Sequence, residues 1–264
     1  MAKNADRGYH PRSGEDLGVT DRNNESLLVA TAVVKSFGAL TVLDNINFSV
    51  GHDEAVGIVG PNGAGKSTML AVISGSLRSN AGGIRFDNVD MTGKTAAQRC
   101  RSGLVRTHQI PKPFGGMTTF ENIFVAAAHR DDDSRAEAYD RAIDALRLCG
   151  MVPLANRRAE ALGLLDRKRL ELARALATKP RLLLLDEIGG GLTDAEASEL
   201  VDVILELRRR QIAIVWIEHI VHVLIRVVQR LICMDAGRII ADGTPSAVLQ
   251  DSQVMQSYLG RGVK

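Results

Sequence analysis

Gly60-Pro61-Asn62-Gly63-Ala64-Gly65-Lys66-Ser67-Thr68 is the stretch on which the reading of this chain turns. It fits the pattern G-x-x-x-x-G-K-[ST], a loop whose glycines let backbone N–H groups wrap a triphosphate. The helix that follows such a loop presents its positive N-terminus to the same phosphates. Lys66 adds a point charge at the β- and γ-phosphates, and the Ser67 hydroxyl can coordinate Mg²⁺. The surroundings are those the motif requires. Ala55–Val59 is a short apolar strand segment that runs directly into the loop, and Lys66–Ser74 reads as the helix after it. A loop with accidental glycines has no reason to lie between those two elements.

A second half-site lies far downstream. Leu182-Leu183-Leu184-Leu185 is a continuous apolar run, as expected of a central parallel strand, and it ends in Asp186-Glu187. Open α/β sheets bind ligands at the carboxyl ends of their strands, which is where this reading puts both acids. Asp186 would hold the metal-bound water, and Glu187 would polarise the attacking water as general base. An apolar run ending in two acids says little alone. Joined to the glycine-rich loop, it completes a site for nucleotide hydrolysis.

The remaining chain fits an α/β core around these two segments. Residues 1–26 are polar and almost free of apolar side chains, and read as a disordered tail. Order is expected from Leu27 to the end. Leu27–Phe37 and Leu40–Val50 are rich in β-branched residues and read as strands, as does Ile84–Val89. The pattern turns helical over residues 111–178, where Asp131–Leu148 is charged on one side and apolar on the other. Thr193 and Glu196 have capping-box spacing, and Leu200, Val203, Ile204 and Leu207 give a helical stripe. Ile212–Ile217, Arg230–Met234 and Arg238–Ala241 read as further strands, with a turn at Asp235–Gly237. The order implies an α/β core with a helical subdomain.

Composition sets the outer limits. The chain has 264 residues, 45% hydrophobic and 24% charged, which suits one large globular domain with a subdomain. A formal net charge of +2 gives no field that argues for nucleic acid as a partner. Three cysteines, Cys100, Cys149 and Cys233, lie far apart with neither metal-ligand spacing nor a disulfide framework. The first residues lack an apolar stretch, so no secretory signal is expected. Ile212–Met234, the longest apolar stretch, is interrupted by Glu218, His219, His222, Arg226 and Arg230, too often for a spanning helix. Any membrane role is expected to run through partners.

From Leu27 onward the chain resembles the ABC ATPases, and within them the branched-chain amino-acid importer group. The resemblance is carried by Phe37-Gly38, Gly60 to Thr68, Arg106-Thr107-His108-Gln109, Thr119-Phe120-Glu121-Asn122, Lys168 to Ala177 and Leu182 to Glu187. Ile217-Glu218-His219, Asp242-Gly243-Thr244-Pro245 and the terminal Tyr258-Leu259-Gly260 extend it. It implies a P-loop NTPase core with an antiparallel β subdomain and a helical subdomain, using ATP and Mg²⁺. Phe37 would stack on adenine, its alternative role being core packing. Gln109 would be the loop glutamine that contacts Mg²⁺ or water and signals to the membrane subunit. His219 would be the switch histidine that senses the γ-phosphate, whereas His108 and His222 read as structural. The implied partners are two membrane permease subunits, a second ABC ATPase subunit and, indirectly, a periplasmic solute-binding protein. The implied place is the cytoplasmic face of the plasma membrane. Lipopolysaccharide-export ATPases look similar over the same motifs. A nucleotide-binding regulatory module with little hydrolysis is the reading from outside transport.

One segment departs from the family. Its signature usually reads Leu-Ser-Gly-Gly-Gln or Leu-Ser-Tyr-Gly-Gln, and alignment on Arg169-Leu170-Glu171 places Leu162-Gly163-Leu164-Leu165-Asp166 there. The serine that would bond the γ-phosphate is Gly163, and the glycine that permits close approach is Leu165. Asp166 adds negative charge where phosphate should dock. Two smaller departures are Ile188 in place of proline after Glu187, and Thr193 in place of Asp or Asn. In this family each ATP is held between the P-loop of one subunit and the signature of the other, so these residues favour a heterodimer.

Overall fold

The computed structural model describes residues 26–129 and 134–259. The tail expected over residues 1–26 lies outside that range except for Ser26, as do the start of the Asp131–Leu148 segment and Gly260. Strands β1 (Ser26–Phe37), β2 (Leu40–Gly51), β4 (Ala81–Phe86) and β5 (Val89–Asp90) form an antiparallel sheet in the order β2-β1-β4-β5. A second sheet has the order β10-β9-β3-β8-β7-β6. It comprises β3 (Ala55–Val59), β6 (Leu104–Arg106), β7 (Leu182–Asp186), β8 (Ala213–Ile217), β9 (Arg230–Asp235) and β10 (Arg238–Gly243). Only β10 pairs antiparallel there.

The central strands are continuous apolar runs because both faces of their sheet are covered. Alternate residues feed two cores. Leu182, Leu184, Val56, Ile58, Val215 and Ile232 pack with the antiparallel sheet and with α1 (Lys66–Ile73). Leu183, Leu185, Trp216, Leu231 and Cys233 pack on the other side with α6 (Asp194–Arg209) and the helices α3 (Thr119–Ala127), α4 (Arg135–Leu148) and α5 (Leu164–Leu176). These last three lie within the segment expected to be helical, and α2 (Ala96–Arg101) precedes β6. Phe120 of α3 ties α3 to α4, with ring centroids 5.2 Å from Tyr139.

The helix starts explain themselves locally. Thr193 Oγ1 accepts the Glu196 N–H at 3.3 Å while a Glu196 carboxylate oxygen accepts the Thr193 N–H at 2.9 Å, the capping box expected there. Thr118 with Glu121 and Ser134 with Glu137 start α3 and α4 in the same way. Each such cap stabilises by about 1 kcal/mol. The expected strand Ile84–Val89 is corrected to a hairpin. Asp87 and Asn88 adopt φ of 50° and 61°, a tight turn that sends the chain back as β5. After β8 the helical segment is a single turn, α7 (Val221–Leu224), and the described residues end in α8 (Pro245–Gln250) and α9 (Ser252–Leu259). Among the described residues no helix is long and apolar enough to cross a membrane.

Candidate functional site

Parallel β3, β6, β7 and β8 bring their carboxyl ends to one edge of the sheet, and the glycine-rich loop, Gln109, Asp186-Glu187 and His219 lie at or just beyond those ends. From β3 the chain enters the glycine-rich loop. Gly60 takes φ 147°, and a Cβ on it would meet the carbonyl oxygen of Met234 at 2.1 Å, so the loop can lie against β9 only with glycine there. The turn between β9 and β10 supports the loop from beneath, the Gly237 N–H donating to Ala64 O at 3.1 Å. Gly65 precedes α1 without any side-chain cap, so the first amides of that helix remain available to an anion. Asn62 to Thr68 line a cleft of about 170 Å³ with Val42 and Glu187.

Lys66 is buried at the floor of this cleft and donates to Gly60 O at 2.8 Å and Pro61 O at 3.0 Å. Burial pushes its ammonium below the ordinary lysine range, while the charges of Glu187 and Asp186 pull it back. The Ser67 hydroxyl donates to Asp186 Oδ1 at 3.1 Å. Two hard oxygen donors side by side are what Mg²⁺ takes when phosphates supply further ligands. Among the described residues no cluster of three or more His, Cys, Asp or Glu offers a metal cage made by the protein alone. The other Asp186 oxygen accepts from Arg106 Nη2 at 2.6 Å, a nearly buried ion pair between the ends of β6 and β7.

Glu187 leaves the strand geometry with φ 49°, a region costly for a residue with a side chain and one that gathers at functional sites. Its carboxylate meets His219 Nε2 at 2.9 Å through one oxygen and the Gln109 side-chain amide through the other. Gln109 is therefore committed through its nitrogen to Glu187, and its carbonyl oxygen is left to ligate a metal or to accept from water. Phe37 stands at the end of β1, 49% exposed, with the Lys35 ammonium 4.9 Å from its ring centroid. That exposure excludes core packing, and the ring does not line the phosphate cleft. His108 and His222 are exposed. The structure also brings in three residues whose roles were not readable from sequence: Arg106, Lys168 and Glu218. All three stand inside family-like segments, which was their only signal.

The signature-position segment starts α5. Gly163 is its N-cap with no side-chain hydrogen bond, and Asp166 lies in the first turn, 3.7 Å from Arg169 Nη1. Leu164 is exposed at 47% and lines a second cleft of about 270 Å³ with Gln109, Lys168 and Glu187.

A mixed sheet carrying a glycine-rich phosphate loop, with a histidine after the neighbouring strand and paired acids at the one beyond, defines a P-loop nucleotide-hydrolysing cassette. The chain belongs to the ABC transporter family, whose pattern it matches over residues 43–189, more than half its length. It is 32% identical over 252 residues to the high-affinity branched-chain amino acid transport ATP-binding protein LivG of Escherichia coli K12, covering 90% of this chain and 99% of that one. It is 31% identical over 239 residues to the lipopolysaccharide export system ATP-binding protein LptB of Haemophilus influenzae, with the same two coverages. Among solved structures, the ADP conformation of an ATP-binding cassette of an ABC transporter superposes with a TM-score of 0.80 at 30% identity, over 89% of this chain and 99% of that one. The chain is thus an ATP-binding, ATP-hydrolysing subunit of the ABC type.

Proposed function

We propose that this subunit powers uptake of branched-chain amino acids, or of a similar small amide or amino acid, through separate membrane permeases. It would act peripherally at the cytoplasmic face of the membrane, with a solute-binding protein on the far side delivering the cargo. The observation that carries the hydrolytic part is the placing of Glu187. It lines the cleft that holds Lys66 and Ser67 while its carboxylate is gripped by His219 and Gln109. In this reading the loop amides and Lys66 hold the β- and γ-phosphates, and Phe37 stacks on the adenine. Mg²⁺ at Ser67 and Asp186, with Gln109 nearby, would neutralise phosphate charge. Glu187 takes the proton of the attacking water, and His219 orients Glu187 and senses the γ-phosphate. The likeness to LivG supports the amino-acid cargo, and that to LptB keeps lipopolysaccharide export as the second reading.

Affinity purification of the tagged subunit from membranes tests the assignment. Two permeases and a second ATPase should co-purify, and ATP hydrolysis by the reconstituted complex should rise with a liganded amino-acid-binding protein. Stimulation by lipopolysaccharide instead would overturn the amino-acid reading.

A further inference from the structure

Glu218 is 2% exposed, immediately after β8, and its two oxygens serve two different stretches of chain. Oε1 accepts the Gly189 N–H at 2.5 Å, and Oε2 accepts the His219 N–H at 3.1 Å. Gly189 stands two residues beyond Glu187. One carboxylate therefore staples the segment that carries Glu187 to the segment that carries His219, beside their own 2.9 Å contact. The staple is built to close tolerance. A Cβ at position 189 would lie 2.7 Å from Glu218 Oε1, so any other residue there would push the carboxylate out of this position.

A buried carboxylate needs a counter-charge as well as hydrogen bonds. Lys168 of α5, itself only 5% exposed, contributes positive charge without a direct ion pair, and its attraction opposes the burial that raises the Glu218 carboxyl above its ordinary range. Burial likewise lowers the Lys168 ammonium, against the pull of Glu218 first and Glu187 second. Neither Lys168 nor Glu218 lines the phosphate cleft. Lys168 lies two residues beyond Asp166, on the helix that begins at the signature position. A displacement of α5 would carry the ammonium away and leave Glu218 charged and buried without that compensation.

We infer that Glu218 is a positioning residue that holds Glu187 and His219 in register, and that the buried charge of Lys168 on α5, which acts on it without a direct ion pair, makes this register depend on where α5 stands. The inference rests on the proposed roles of Glu187 and His219, and the test separates the two. Hydrogen exchange of the full, nucleotide-free chain reads the staple without any turnover. Lys168→Met should speed exchange at least tenfold in peptides covering residues 187–192 and 218–221. Lys168→Arg, which keeps the charge, should leave both as protected as in the wild type. Adding Glu218→Gln to Lys168→Met should restore protection to within about threefold, because a neutral amide still accepts from Gly189 and needs no counter-ion. In the assembled complex Lys168→Met should lower kcat at least tenfold with KM for ATP within threefold, and the double variant should recover part of the loss. Should Lys168→Met fail to fold, Lys168→Gln replaces it. Unchanged exchange in Lys168→Met, or a double variant worse than either single one, overturns the staple. Loosened exchange with unchanged kcat spares the staple and overturns the catalytic roles of Glu187 and His219.

Discussion

Replacing Glu187 by glutamine separates its chemistry from its geometry. The carboxylate accepts from His219 at 2.9 Å and from the Gln109 amide. Bonds to a charged acceptor are worth about 1.5–3 kcal/mol and neutral ones about 0.5–1.5. Glutamine keeps one acceptor oxygen and turns the other into a donor, so the local grip weakens by roughly 2 kcal/mol over both contacts. Loss of a general base costs about 10²- to 10⁴-fold, or roughly 3–5 kcal/mol of barrier. The second figure exceeds the first, so magnitude distinguishes the roles. Glu187→Gln should bind ATP as well as the wild type, or slightly better, because a negative charge leaves the side of the phosphate cleft. In the assembled complex its single-turnover hydrolysis should fall at least about 10²-fold. Binding is read by titration with a fluorescent ATP analogue and hydrolysis by release of labelled phosphate. A rate within threefold of the wild type refutes the general-base assignment. A fall of only about thirtyfold would match the weakened contacts alone and make Glu187 a positioning group.

Lys66→Ala removes a buried charge that would otherwise meet phosphate in a partly dry cleft, a loss on the order of 3 kcal/mol. Titration should show ATP binding at least about tenfold weaker, and superposable curves would reject the role. The triple change Gly163→Ser, Leu165→Gly, Asp166→Gln should raise hydrolysis at the partner ATPase's site while leaving the site around Lys66 unchanged. The subunit purified alone should bind ATP yet hydrolyse it poorly, and robust cooperative hydrolysis without a partner would contradict the heterodimer. Glu218 gives a pH dependence of stability. Burial raises its carboxyl in the folded chain above the ordinary 4.5, so its contribution is complete below that value and is lost as pH rises through the folded one. The stability of the wild type relative to Glu218→Gln should therefore fall between acidic and neutral pH in paired urea melts, and a pH-independent difference would reject it.

The legible parts of this protein are those in which sequence neighbours are also spatial neighbours. Gly60 to Thr68 carries loop, helix start, lysine and hydroxyl in one run. β3 and β7 announce themselves as unbroken apolar segments because both their faces are covered. Thr193 declares its helix through a partner three residues away. What stayed hidden is short or non-local. β6 has three residues and no pattern of its own, and it exists because Gly103 O and Leu184 O receive the amides of Arg181, Leu182 and Thr107. The hairpin at Asp87-Asn88 hid inside an apolar-looking run, although Asp-Asn is a turn signal. The ion pair of Arg106 with Asp186, and the charges of Lys168 and Glu218, join residues far apart in the chain that only the assembled sheet brings together. Phe37 left two roles open in sequence, and its exposure removes one of them.

The proposed pairing with a different ATPase subunit rests on the start of α5. A helix start offers free amides and roughly half a positive charge, which is how such an end holds phosphate. Here Asp166 occupies the first turn and cancels much of that charge. Arg169, which could have restored it, is divided between Asp166 at 3.7 Å and Glu199 of α6. Gly163 contributes no hydroxyl, and Leu165 places a side chain where the backbone would have to approach an anion. The surface presented to a partner's nucleotide therefore lacks the donor, the clearance and the potential together. The cleft around Lys66 suffers none of these losses, because the glycine loop, Ser67, Asp186 and Glu187 supply its contacts from within the same chain. In the proposed heterodimer a partner with a serine and glycines at its own helix start would complete that cleft, which is what co-purification and the activity of the subunit alone test.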